Sequence, residues 1–274
     1  MPLKKTLKLD QRDIHILWKL SLRGYRFLTC PQLSLLYFPD ENSCKQRMRQ
    51  LCKAGLVEKC FTPVVHQSDE KKEVYTLTLR GARELSRALK TSSARLAGSS
   101  NFSAFFLEHE LLTSQFMCTL EAALANNNAK LSYWKSQSEL RSLHLKVMIP
   151  RFRGAKIPII PDGLFSITNE GITEHFFLEV DRGTMGLLDI RKKMLGYVHF
   201  HIKGIHSDIF KLPHFRVLFI TTSATRINRI LSELREIGLC PNMFLFTQWN
   251  QIAPESVLGK IWLKCRGQEV SLLQ

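Results

Sequence analysis

Two short runs in the second half of the chain place acidic side chains where apolar ones are expected. The stretch Lys156 to Ile167 is rich in β-formers and carries Asp162 in its middle, between Pro161 and Gly163. A charge inside an apolar strand is costly unless something compensates it. The second run, Glu174 to Arg182, alternates: Phe176, Leu178 and Val180 go to one face, and Phe177, Glu179 and Asp181 to the other. Glu179 and Asp181 are then same-face neighbours, ~6.5–7 Å apart by strand rise. If the two strands pair, Asp162 joins them. Three converging carboxylates repel one another, and relief comes from proton uptake, from Lys or Arg partners, or from a divalent cation. Hard cations such as Mg²⁺ or Mn²⁺ take oxygen ligands of this kind. Arg182 could instead pair with one carboxylate at an exposed strand end, but three acids together favour the metal. His109 and Glu110 lie side by side on an earlier apolar-faced segment; singly, they read as a core histidine and a solvated carboxylate.

These residues need elements to hold them. Ala104 to Ala125 keeps helical time, with Phe105, Phe106, Leu112, Thr113, Phe116 and Leu120 on one face. After the acidic pair of strands, Leu187 to Ile202 reads as a helix with Lys193 and Tyr197 at i, i+4. Phe215 to Thr222 is a buried strand, Thr225 to Ile237 a helix and Met243 to Thr247 a further strand, and Ile261 to Cys265 adds an edge strand. This alternation predicts a mixed sheet flanked by helices on both sides, an α/β (α+β) unit.

The first hundred residues have another character. They hold 19 basic and 9 acidic side chains, against 20 and 15 in the remainder, within a total of +15. Such a field attracts polyanions, of which nucleic acid is the commonest in a cytosol. Asp10 caps a helix over Leu9 to Leu20, Pro31 to Tyr37 is a second, and Asp40 caps a third over Glu41 to Ala54. In the third, Cys44, Met48, Leu51 and Cys52 form an apolar stripe. The opposite face shows Asn42, Gln46, Arg49, Gln50 and Lys53, with Lys45 and Arg47 on the flanks. Arg, Asn and Gln bond base edges in a major groove, and Lys serves phosphates. Two strands follow, Leu56 to Val65 and Glu73 to Leu77, joined by a polar tip with Lys71 and Lys72, and Thr78 caps a closing helix through Leu89. This order is a winged helix-turn-helix. A winged helix can also serve protein contacts alone; the charge favours double-stranded DNA.

The small polar stretch near residues 93–103 reads as a linker, giving a winged-helix domain over 1–92 and an α/β domain over 104–274. Apolar residues make up 45% and charged residues 23% of the 274, which excludes wholesale disorder. No apolar run reaches the ~18 residues of a membrane span. The N-terminus lacks an apolar signal core, and seven scattered cysteines without a Cys-x-x-Cys pair predict reduced thiols in a cytoplasm.

Taken in order, several pieces make a pattern: His109-Glu110 on a helix, Trp134 with Ser138-Glu139-Leu140, Pro161-Asp162-Gly163, the run from Phe177 to Thr184, and Lys193-x-x-x-Tyr197. Together with the winged helix, they resemble the replication-relaxation family of mobile elements, including MobC-type plasmid mobilisation relaxases, with a PD-(D/E)XK-like nuclease core. The chain departs from that core where a lysine would follow the glutamate by two residues and Asp181 stands instead. The resemblance implies a metal-dependent, site-specific DNA-nicking protein acting at an origin of transfer or replication. Asp162, Glu179 and Asp181, with Glu110, would hold Mg²⁺ or Mn²⁺; Lys193 would offset charge on the phosphate, and His109 would orient Glu110 or a phosphate oxygen. Because a relaxase reseals its strand, Tyr197 is the candidate covalent nucleophile, although a tyrosine so spaced usually packs. Implied partners are double-stranded plasmid DNA, a coupling protein or other relaxosome component, and a second copy of the chain, in a bacterial cytoplasm. The competing expectation is a non-catalytic DNA-binding relaxosome accessory or plasmid replication regulator that keeps the nuclease fold as scaffold. A transcriptional repressor with an effector-binding second domain would need apolar pocket residues where carboxylates stand.

Overall fold

Helix starts in this chain are written in short polar side chains. Asp10 accepts from the Asp13 N–H at 2.8 Å, and Asp13 accepts in return from the Asp10 N–H, a reciprocal cap that opens α1 (Gln11–Lys19). A two-residue strand, β1 (Leu28–Thr29), leads into α2 (Cys30–Tyr37), where Gln32 accepts from the Thr29 N–H at 2.9 Å. Asp40 caps α3 (Glu41–Lys53). Strands β2 (Val57–Phe61) and β3 (Glu73–Leu77) follow, and Thr78 caps α4 (Leu79–Leu89). The structure, a computed structural model, describes residues 7–61, 72–93, 96–98, 102–150, 154–236 and 242–273. Residues 62–65 of the expected strand, and Lys71 at the expected tip, lie outside them.

The three strands form an antiparallel sheet in the order β1-β3-β2. Beneath it Ile16, Leu17, Leu33, Cys44, Met48, Leu51 and Leu85 are buried. One buried ion pair joins the helices: the Arg47 guanidinium donates to both carboxylate oxygens of Asp13, with Nε–Oδ1 at 2.8 Å, and Asp13 is fully buried. Burial pushes the Asp13 carboxyl up, but the Arg47 guanidinium and the Asp10 N–H outweigh it and hold the group below its usual range.

The chain divides into two compact units, Met1–Cys118 and Thr119–Gln274. The division falls inside α5 (Ala104–Asn126), so the N-terminal half of that helix, with His109 and Glu110, belongs to the first unit and not, as the expected linker implied, to the second. Within the first unit Phe102, Phe106, Leu107 and Leu111 close on Phe27 and Val74, whereas Phe105, expected on the buried face, is 66% exposed.

The second unit continues through β4 (Lys130–Ser136), α6 (Gln137–Ser142), β5 (Lys146–Ile149), β6 (Ala155–Pro158), β7 (Gly163–Asn169), β8 (Ile172–Val180), α7 (Leu187–Ile202), α8 (Ile205–Phe210), β9 (Arg216–Thr221), α9 (Ala224–Glu236), β10 (Phe244–Gln248), β11 (Trp262–Lys264) and β12 (Glu269–Val270). Seven strands make one mixed sheet in the order β12-β11-β10-β9-β8-β7-β4. β8, β9 and β10 run parallel, and the outer pairs are antiparallel. On one face Phe177, Val217, Phe219, Phe244 and Phe246 pack with the apolar sides of α7 and α9. β5 and β6 form a separate two-stranded ribbon.

Asp162 is not in the middle of a long strand, as the sequence suggested. Pro158 and Pro161, which cannot donate to a ladder, split that run into β6 and β7, and Asp162 immediately precedes β7. Gly163 beside it is forced by packing: a Cβ there would lie 2.6 Å from the Trp134 ring.

Arg47→Ala should strip the buried Asp13 of its counter-charge and destabilise the first unit by about 3 kcal/mol. Urea denaturation of the full chain followed by far-ultraviolet circular dichroism measures it. Because the Asp13 carboxyl is depressed in the fold, the wild-type advantage is full above the ordinary aspartate range and should vanish as pH falls through the lowered value.

Candidate functional site

The parallel strands β8 and β9 end side by side, and their carboxyl ends gather the acidic residues. In register, Glu179 stands beside Phe219 and Val180 beside Ile220, and the Asp181 N–H extends the ladder to the Ile220 carbonyl at 2.8 Å. Asp162 arrives from the opposite edge of β8, its N–H bonded to the Leu178 carbonyl at 2.9 Å. Crevices at the carboxyl ends of parallel strands are the usual ligand positions of open α/β sheets.

Each carboxylate has its own partners. Asp162 accepts from the Val180 N–H at 2.8 Å on Oδ2 and from Gln137 Nε2 at 2.7 Å on Oδ1. Glu179 accepts from the Tyr197 hydroxyl at 2.5 Å on Oε1 and pairs with Lys193 Nζ through Oε2. Asp181 accepts from Thr221 Oγ1 at 2.7 Å, from the Gly183 N–H at 3.1 Å and from Arg226, whose Nε lies 2.9 Å from Oδ2. Arg226 also donates to the Met185 carbonyl. All three residues are at most 5% exposed, so the carboxylates are buried. All six of their oxygens accept a hydrogen bond from the protein.

The electrostatics centre on Lys193. Burial lowers its pKa, but Glu179, Asp162 and Asp181 outweigh burial, raise it and keep the ammonium charged. Glu179 moves up to about 7: burial dominates, Asp162 adds to it, and Lys193 and Tyr197 oppose it. Tyr197 is 1% exposed; burial first, then Glu179, pushes its phenol well above the ordinary value. Its ring lies against Phe177, Phe215 and Phe244.

The sequence anticipated the grouping of Asp162, Glu179, Asp181, Lys193 and Tyr197, but it left open how their charges balance. Repulsion is relieved by the cations of Lys193 and Arg226, one of the three expected devices, while burial raises the Glu179 carboxyl. For the third, the donor set is hard oxygen, which suits Mg²⁺ or Mn²⁺, yet every oxygen is engaged and an ammonium stands among them. Among the described residues no group of three or more His, Cys, Asp or Glu side chains could hold a metal ion. In this arrangement a divalent cation would have to compete with Lys193 and with the donors already on each oxygen. His109 and Glu110 lie half-buried in the other unit, where Glu110 acts electrostatically on Arg26. Gln137, Thr221 and Arg226 were missed. Gln137 had a local signal, since Ser136 and Glu139 form the capping box that starts α6. Arg226 and Thr221, distant in sequence, had none.

On α3, Cys44, Met48 and Leu51 are buried, and Asn42, Gln46, Arg49, Gln50 and Lys53 are exposed, as expected. Lys45 pairs with Glu41 at 2.7 Å, and Arg47 is not a flank contact but the partner of Asp13, also donating to Gln50 Oε1 at 2.6 Å. Lys72 is exposed immediately before β3.

The family model described as replication-relaxation matches residues 20–211, well over half of the 274, and the chain belongs to that family. No curated protein matches. Among solved structures, Bacillus subtilis PadR in complex with operator DNA is similar at 17% identity and a TM-score of 0.23, over 50% of this chain and 76% of that one. At that score the likeness carries no argument. No helix among the described residues is long and apolar enough to cross a membrane, and the six described cysteines are free thiols.

Lys193→Met should leave Glu179 and Asp162 without their shared cation and cost about 3 kcal/mol at pH 8. The Glu179 carboxyl, already near 7, should then rise further and escape by protonation in acid. Its contribution is present at low pH and lost as pH rises through the folded value, so the deficit should be smaller at pH 6 than at pH 8. Urea midpoints at the two pH values check the sign.

Proposed function

We propose that this protein acts in plasmid replication or mobilisation by binding double-stranded origin DNA through a winged helix-turn-helix in its first unit. What carries the reading is α3: its apolar stripe is buried and Asn42, Gln46, Arg49 and Lys53 face outward, on the helix that precedes the β2–β3 hairpin. A helix with amides and a guanidinium on its free face has the donors and acceptors that discriminate base pairs, and the charge of the first hundred residues supplies the attraction to phosphate. Membership of the replication-relaxation family supports the biological setting, a mobile element in a bacterial cytoplasm. A coupling protein or another relaxosome component, and a second copy on a palindromic site, are the partners this role implies.

A second reading, strand nicking in the second unit, is favoured by the setting of Glu179. A buried glutamate with its carboxyl near 7, beside a lysine and a second acid, has the proton affinity that general acid–base chemistry needs. With α6, the β5–β6 ribbon and α8 as insertions, α5, the antiparallel β4-β7-β8, α7 and the parallel β9 keep the order expected of a PD-(D/E)XK core, which also supports it. Here Asp162, Glu179 and Asp181, with Glu110 and His109 as further candidates, would supply the oxygens for Mg²⁺ or Mn²⁺, an ion that polarises phosphate oxygens and acidifies water when bound. Lys193 would have to leave Glu179 for that. Tyr197 suits positioning Glu179 better than covalent attack, because its hydroxyl is committed to Glu179 inside an aromatic core.

Origin fragments of the host plasmid separate the readings. The wild-type chain should prefer the origin over scrambled duplex, and Gln46→Ala with Arg49→Ala should weaken that preference about tenfold or more, at ~1–3 kcal/mol per base contact. No preference would sink the origin-binding proposal. On supercoiled plasmid, nicking with Mg²⁺ or Mn²⁺ that is lost with chelator, in Asp162→Asn and in Glu179→Gln establishes the second reading; binding without nicking under any divalent ion removes it. A protein–DNA adduct absent from Tyr197→Phe would restore the tyrosine as nucleophile.

A further inference from the structure

From Leu140 to Pro161 the chain holds five Lys or Arg residues and no Asp or Glu. The described part of this stretch includes the β5–β6 ribbon, which pairs Val147 with Ile157 and Met148 with Lys156. Its two faces are sharply different. Val147 and Ile149 are buried, and with Ile157 they pack into the core below α7. The approach is so close that a Cβ on Gly196 of α7 would meet Ile159 at 2.6 Å. The outer face shows Lys146, Met148, Lys156 and Pro158, all exposed, Met148 to 46%. At the end of α7, Lys203 reaches back to the Met148 carbonyl at 3.5 Å and adds a third exposed ammonium beside the ribbon.

We infer that this outer face is a second DNA-contacting surface, which holds the phosphate backbone of duplex DNA. A two-stranded ribbon is one of the shapes a major groove admits. The described outward groups are ammonium ions without neighbouring carboxylates. Ammonium groups serve phosphates and not base edges, so the contact made by Lys146 and Lys156 is with the backbone. The apolar inner face anchors the ribbon to α7, which gives the lysines a fixed platform. The inference rests on the DNA-binding reading above, and adds that the second unit contributes its own share of the grip.

The test uses the full chain and a fluorescent duplex of random sequence, titrated across salt concentrations. Replacing Lys146 and Lys156 together by Gln should make the slope of log affinity against log salt shallower by about 2, because each phosphate that a lysine neutralises adds ~0.9 to it. An equal loss of charge elsewhere on the second unit, Lys130→Gln with Lys260→Gln, should leave the wild-type slope; both lysines are exposed. All four positions are at the surface, so unfolding is not expected, and circular dichroism verifies it. If the ribbon variant and the control pair have the same slope, the ribbon proposal is wrong, whatever the first unit does. If Arg49→Ala with Lys53→Ala weakens binding and the ribbon variant does not, the grip belongs to α3 alone. A wild-type chain that ignores duplex DNA overturns both proposals.

Discussion

An interior with three carboxylates at the ends of β8 and β9 can exist only if positive charge is delivered to the same place, and Lys193 delivers it. Ionised acids in a dry environment cost several kcal/mol each, and only close pairing and complete hydrogen bonding make the arrangement tolerable. This requirement fixes the rotation of α7. Lys193 and Tyr197, one turn apart, must both look at Glu179, which turns Gly196 toward the β5–β6 ribbon, where any larger residue would strike Ile159. One helix therefore carries two constraints, a charge requirement on one side and close apolar contact on the other.

The partners also divide the carboxylates by kind. Asp181 has a guanidinium, a hydroxyl and a backbone N–H; Asp162 has an amide and a backbone N–H; Glu179 has an ammonium and a phenol. Glu179 is the one pushed up to about 7, chiefly by burial, with Asp162 adding to it. The same logic operates in the first unit, where Asp13 is fully buried beside Arg47, but there a forked guanidinium and a backbone donor outweigh burial and the shift is downward. Burial pushes both groups up; at Asp13 the forked guanidinium and the backbone donor outweigh it, and at Glu179 the ammonium and the phenol do not.

Much of this was legible in one dimension because it is local. Asp10, Asp40 and Thr78 announce helix starts by their position before apolar periodicity, and the alternation from Phe176 to Asp181 sends Glu179 to the face of Phe177. Even the convergence of Asp162 on Glu179 needed only that two adjacent strands pair. What could not be read was the identity of each counter-ion. Arg226 is 45 residues from Asp181, and Gln137 is 25 from Asp162, and nothing in the spacing of those segments distinguishes them from solvated surface. Arg47 shows the same limit in reverse. By helical phase it is a flank of an exposed basic face, but its partner is a capping residue 34 positions away on another helix. Asp162 was misplaced within its strand because the proline pair was read as part of the β run and not as its interruption.

The arrangement of exposure sets a strongly basic chain beside a knot of acids in its larger unit. Lys193 and Arg226 have side chains 21% and 13% exposed, while the carboxylates they pair with are 3% and 2% exposed. The cations therefore form the outer layer of the cluster and the anions the inner one. In both pairs the cation is more exposed than its carboxylate, and in the low-dielectric interior each acid interacts most strongly with its own partner. Burying acids beneath cations leaves the surface of this strongly basic protein attractive to polyanions. Because Lys193 holds Glu179 Oε2, a ligand for that oxygen would compete with the ammonium.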